Sequence, residues 1–191
     1  LIRARVRVLQ DASPQGLRDA AVAFDNQLQQ KSRPQTAAAK YGLAFIALKR
    51  GEYAKAQTLL QEARVAAQGV PAQPSAATHS AILASLAIDI RLAADQPADA
   101  LKEADAARTQ FPLSRGIARQ YADALIEAAR YDDAIHYLRD QAQLYRQEPQ
   151  LQDQLAKTYA VLGKQALQHL ALAESYALSG SLPSALDQLS I

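Results

Sequence analysis

The feature that most constrains this chain is the spacing of small and large apolar residues in residues 121–138, YADALIEAARYDDAIHYL. The stretch reads as a helix, a tight break and a second helix. Tyr121, Ala122 and Leu125 share one helical stripe, and Tyr131, Ala134 and Leu138 share another. Two helices cross closely only where one presents small residues and the other fills the space above them. The alanines therefore predict one helical hairpin.

Aligned on its break, the hairpin recurs. A first column holds Ala44, Ile88, Ala122 and Ala156, and seven residues later stand Gly51, Asp95, Ala129 and Gly163 at the turn. A third column is Tyr53, Pro97, Tyr131 and Gln165, and a fourth is Ala56, Ala100, Ala134 and Gln168. Copies begin 44, 34 and 34 residues apart, and the long interval contains GVPAQPSAAT, residues 69–78, whose glycine and prolines predict an exposed loop. Half a period later, Gly180, Leu182 and Ala185 repeat the turn signature 17 residues after Gly163. Helix 164–178 is thus expected to close one pair and open the next.

The other segments fit an all-α fold. Residues 1–10, LIRARVRVLQ, predict a helix with Ile2, Val6 and Leu9 inward, since a lone strand has no partner here. Ser13 and Pro14 supply an N-cap and a first helical residue for a helix to about Lys31, with Leu17, Ala20, Ala21, Phe24 and Leu28 inward. Residues 35–49 are apolar on several faces, so that helix is expected to be covered on several sides.

Helix–turn–helix units of 34 residues with small residues in these columns resemble the tetratricopeptide repeat (TPR), most recognisably in GEYAKAQTLLQEA and ARYDDAIHYL. The expected architecture is a right-handed superhelix of antiparallel helix pairs, about ten to eleven helices in all. Residues 1–34 are expected to form a helical pair linked to an upstream domain. The repeats would span 35–68, 79–112, 114–147 and 149–178, with a capping helix at 182–191.

A closer resemblance rests on DQLAKTYAVLGKQALQHL followed by ALAESYALSGSLPSALDQL, together with LIRARVRVLQ and KYGLAFIALKRGEYAKAQ. These stretches are similar to the region that follows the peptidase domain in the periplasmic β-barrel assembly-enhancing protease family, the TPR-bearing zinc metallopeptidases. That family's catalytic residues lie in an HExxH helix, and no such motif occurs here, so no catalytic role carries over. The resemblance implies a non-catalytic, periplasmic interaction domain with zinc only in the absent peptidase domain. It would bind the outer-membrane assembly machinery or unfolded outer-membrane proteins, and position or shield its own protease. A structural TPR scaffold subunit or lipoprotein is the alternative.

Composition limits other functions. The 21 basic and 19 acidic residues leave a net charge of +2, and only Arg3, Arg5 and Arg7 cluster, which disfavours nucleic acid. There is no cysteine, and no apolar run approaches a membrane span. The chain has no methionine, so a piece of a longer protein is expected. His79, His136 and His169 stand far apart, without a second ligand at metal spacing, and no cofactor is expected. Asp132 and Asp133 suit a helix N-terminus and diverge too much to share a proton. Tyr131, Tyr159 and Tyr176 fall at core spacing.

Partner-binding residues are expected on the first helix of each pair, which lines the concave face of such a solenoid. The candidates are Tyr41, Phe45, Ser85, Asp89, Arg119, Asp123, Asp153 and Lys157. Tyr41 and Phe45, four apart, have two readings: an aromatic anchor for a peptide, or burial against the N-terminal helices.

Overall fold

A computed structural model describes residues 1–29, 32–68 and 80–190. The loop expected at 69–78, His79 and the helix end expected at Lys31 lie outside the described residues. Every element described is helical: α1 (Ile2–Gln10), α2 (Pro14–Leu28), α3 (Arg33–Lys49), α4 (Tyr53–Gln68), α5 (Ala81–Ala93), α6 (Pro97–Gln110), α7 (Arg115–Glu127), α8 (Tyr131–Leu144), α9 (Pro149–Val161), α10 (Gln165–Leu178) and α11 (Leu182–Leu189). The chain forms two compact units, Leu1–Ile117 and Ala118–Ile191.

Local chemistry sets the helix ends. The Ser13 hydroxyl accepts the Gly16 amide at 3.0 Å, capping α2 directly before Pro14. Ser32 precedes α3, which takes Pro34 into its first turn instead of starting after it, because proline needs no amide donor there. The first turn of α8 carries Asp132 and Asp133, and Asp133 pairs with Arg130. That helix ends at Leu144.

The turn column has one backbone conformation throughout. Gly51, Asp95, Ala129, Gly163 and Gly180 have φ of 75°, 55°, 56°, 66° and 81°. At each, the next residue's amide reaches back five positions, as in Glu52 to the Ala47 carbonyl at 2.9 Å and Arg130 to the Leu125 carbonyl at 2.9 Å. These are left-handed C-terminal caps that satisfy carbonyls the helix leaves free. The half-period copy at Gly180 makes the same turn, with Ser181 bonded to the Tyr176 carbonyl at 2.8 Å. Helix α10 accordingly packs against both α9 and α11.

In the first unit α3 packs against α4 and α2, and it also contacts α1 and α5. Its core gathers Val8, Phe24, Tyr41, Ile46, Leu60 and Leu86. Gly42 allows α2 to approach α3, since a Cβ there would lie 2.4 Å from the Phe24 ring. In the second unit the core joins Ala122, Leu138, Leu151, Leu155 and Tyr159, and the Tyr121 and Tyr137 rings meet edge-on at 4.9 Å. The first column, Ala44, Ile88, Ala122 and Ala156, is buried in every copy. In the fourth column Ala56, Ala100 and Ala134 are fully buried, while Gln168 is half-buried.

Two packing expectations change. Helix α1 buries Ala4 and Val8, while Ile2, Val6 and Leu9 are 70%, 47% and 53% exposed. The stripe is rotated because the α3 face that α1 meets carries Tyr41 and Phe45, which take up the Arg5 side chain. Tyr176 is exposed, because it stands in the last turn of α10, next to the buried Ser175 but turned about 100° from it.

Candidate interaction surface

Each unit carries one cluster of polar and aromatic groups on the first helices of its pairs. In the first unit the cluster centres on Arg5 of α1. Its guanidinium donates to the Tyr41 hydroxyl at 3.5 Å and to the Asp89 carboxylate at 3.3 Å. It also stacks 5.0 Å from the Phe45 ring centroid, and the Lys49 ammonium lies 5.4 Å from the same ring. One side chain thus ties α1, α3 and α5 together. Burial raises the Tyr41 phenol above the usual tyrosine range, and Asp89 adds to this while Arg5 acts against it.

Both readings of the Tyr41 and Phe45 pair can be judged from this geometry. Tyr41 is fully buried and Phe45 is 3% exposed. They are not a free aromatic anchor, because Arg5 covers them from α1. Asp89 is half-buried in the bridge, and Ser85 lies half-buried one turn earlier on α5. Sequence reasoning noted Arg5 only as a member of a basic run. The available signal was its position on α1 between Ala4 and Val8, which are the buried residues.

The second unit's cluster joins α7 and α9. Gln154 is 6% exposed, and its amide nitrogen donates to the Asp123 carboxylate at 2.6 Å and to the Arg119 carbonyl at 3.0 Å. The Arg119 guanidinium lies 3.6 Å from the Glu148 carboxylate. Thr158, fully buried, donates its hydroxyl to the Gln154 carbonyl at 2.8 Å, which holds that turn of α9. The Gln154 side-chain oxygen Oε1 is buried and meets no donor among the described residues. Asp153 and Lys157 stand exposed on the same helix, one turn apart.

The structure therefore brings together Arg119 and Asp123 through Gln154, a residue the sequence pattern did not single out. The signal available was register, since Gln154 and Thr158 follow Leu151 at i+3 and i+7, on the stripe that also holds Leu155. A recess in this unit, about 280 Å³, lies between α8, α9 and α10 and is lined by Leu155, Tyr159, Leu167, Arg139 and Glu174. There Arg139 donates to the Tyr159 hydroxyl at 3.1 Å.

The two described histidines, His136 and His169, sit in ordinary places. The His136 side chain is 82% exposed, 3.6 Å from Asp140. His169 Nδ1 lies 2.9 Å from Gln188 Oε1 and joins α10 to α11. Among the described residues no three His, Asp or Glu side chains converge as metal ligands, and no helix is long and apolar enough to cross a membrane.

Repeated helix pairs, a buried small-residue column and five left-handed caps in register define the architecture. The fold is TPR-like. Solved structures agree. YrrB, described as a TPR protein with an unusual peptide-binding site, superposes with a TM-score of 0.62 at 17% identity, covering 94% of this chain and 87% of that one. BtubC (BKLC) from P. vanneervenii gives 0.63 at 14% identity over 91% and 88%. MamA from MSR-1 gives 0.53 at 16% identity over 99% and 92%. No protein-family model and no curated protein sequence matches the chain.

Proposed function

We propose that this chain is a non-catalytic protein-interaction domain that binds peptide segments of its partners on the α7 and α9 face of its second unit. The observation that carries this is Gln154: a buried amide whose oxygen is left without a donor among the described residues, with its nitrogen held by the Asp123 carboxylate and the Arg119 carbonyl. An unsatisfied buried acceptor costs about 1–3 kcal/mol. A ligand amide or ammonium entering beside Asp123 offers the missing donor after a small rotation of the side chain. Exposed Asp153 and Lys157 add charges of both signs at the edge of that face, which suits a segment held by its backbone and selected by its charges. The peptide-binding site named for YrrB, a protein of the same fold, supports the class of ligand.

In its finer form the proposal takes the chain as the C-terminal domain of a periplasmic zinc metallopeptidase. It would hold assembly-machinery partners or unfolded outer-membrane proteins and position or shield the protease. The support is the resemblance of residues 1–10, 40–57 and 153–189 to that family. An HExxH helix encoded ahead of Leu1 is the expected finding, and a gene without one overturns this finer reading. The structural scaffold remains the second reading: it predicts that the surface charges of α9 are irrelevant to capture of partners.

The deciding experiment is affinity capture from periplasmic extract with the wild-type chain and with an Asp153→Lys, Lys157→Glu double variant. Both positions are exposed, so folding should be unchanged. Capture that falls at least severalfold supports the proposal, and equal capture by both chains overturns it.

A further inference from the structure

Two helices at opposite ends of the sequence keep an apolar stripe that nothing among the described residues covers. On α1, Ile2, Val6 and Leu9 are 70%, 47% and 53% exposed. On α11, Leu182, Leu186 and Leu189 are 62%, 68% and 61% exposed. Both sets follow the i, i+4, i+7 spacing of a single helix face. Scattered surface aliphatics need no explanation, but three in line on one short helix form a contiguous patch.

The charges around the stripes have opposite signs. Helix α1 contains Arg3, Arg5 and Arg7 and no acidic residue. Arg5 is drawn inward to Asp89, while Arg3 and Arg7 are exposed. Helix α11 contains Asp187, which is exposed, and no lysine or arginine. Pairing α1 with α1, or α11 with α11, sets like charges together; pairing α1 with α11 sets opposite charges together.

We propose that the α11 stripe of one copy receives the α1 stripe of a second copy, giving head-to-tail self-association. Rows of side chains spaced by four residues interlock when two such helices cross. One helix on one helix makes a small interface, so the association is concentration-dependent and reversible. Because the two surfaces differ, each bound copy leaves one stripe open for the next unless a ring closes. None of the residues of the α7 and α9 cluster takes part, so this inference stands apart from the peptide-binding proposal.

The test is sedimentation of the 191-residue chain over about a hundredfold range of concentration. The expected wild-type result is an average mass that rises with concentration. Val6→Asp and Leu186→Lys should each be monomeric alone, because each loses one of the two surfaces. Mixed, they should form a 1:1 dimer, since one retains α11 and the other retains α1. A wild-type chain that stays monomeric overturns the proposal. So does a single variant that still self-associates, or a mixture that does not pair. If either variant loses helicity by circular dichroism, Ile2→Asp and Leu189→Lys replace them on the same stripes.

Discussion

The guanidinium of Arg5 lies 3.3 Å from the carboxylate of Asp89, across 84 positions of sequence, and bridges the first and third of three neighbouring helices. On its way it covers the Phe45 ring and meets the Tyr41 hydroxyl. Both charged side chains retain a little over a quarter of their exposure, so solvent screens the ion pair and the packing of the guanidinium matters as much. Arg5→Ala should cost about 1–2 kcal/mol, from the lost stacking and hydrogen bonds together. Arg5→Lys should recover little of it, since an ammonium cannot stack as a plane while donating to two oxygens. Urea melts of the two variants measure the difference, and equal recovery by lysine would refute the stacking role.

The same cluster predicts an alkaline transition. Burial holds the Tyr41 phenol above its ordinary value of about 10, so the folded chain keeps the proton where the unfolded chain releases it. Its contribution to stability is complete below about pH 10 and is lost as pH rises from there through the raised folded value. Tyr41→Phe should flatten that alkaline decline relative to wild type. Denaturant midpoints taken on either side of pH 10 check it, and parallel declines would count against Tyr41.

Gln154 separates stability from binding. Replacing it with leucine removes the unsatisfied oxygen and leaves half-buried Asp123 to be solvated, so the melting temperature should change by no more than a few degrees. Partner capture should nevertheless fall. A large loss of stability with capture intact would show the amide to be structural only. Charge reversal at Asp123 is a poorer probe, because it breaks the 2.6 Å bond to a buried group.

Ala129 occupies the left-handed cap at φ 56°, where its copies at the other turns include three glycines. A β-carbon in that region costs about 1 kcal/mol or slightly more, so Ala129→Gly should stabilise the chain by up to about 1 kcal/mol. Thermal denaturation followed by circular dichroism decides this. A lower midpoint in the variant would mean that the gain in backbone freedom of the unfolded chain outweighs the relief of strain.

Ala134 has no exposed surface and stands in the small-residue column that the repeat assigns to a helix crossing. Ala134→Leu should force the pair apart and cost roughly 1–3 kcal/mol. An unchanged melting point would mean that the crossing has room the packing does not show.

How much was legible in advance differs from residue to residue. The turn column was readable because its residues answer to local rules: a helix that must stop and reverse needs a left-handed residue. Gly51, Gly163 and Gly180 announce it, while Asp95 and Ala129 follow by register. The buried columns were readable for a similar reason, since close crossings admit only small side chains. The stripe of α1 was misread because Ile2, Val6 and Leu9 are the most apolar residues available, yet α3 offers aromatic faces to Arg5 instead. In the candidate sites, Arg119 and Asp123 are four apart on α7, and their connection through Gln154 required knowing which turn of α9 lies opposite.

The sequence by itself determined a TPR-like stack of helix pairs, because capping, helix periodicity and the small-residue columns act over a few residues and repeat. Only the tertiary structure decided which side chains those pairs enclose and which they leave out. It buried Tyr41 and Phe45 beneath Arg5, left one oxygen of Gln154 unsatisfied, and turned the apolar rows of α1 and α11 outward. The reason is physical. A helix's rotation about its own axis is fixed by the surface it meets, and that surface is contributed by residues far away in the chain.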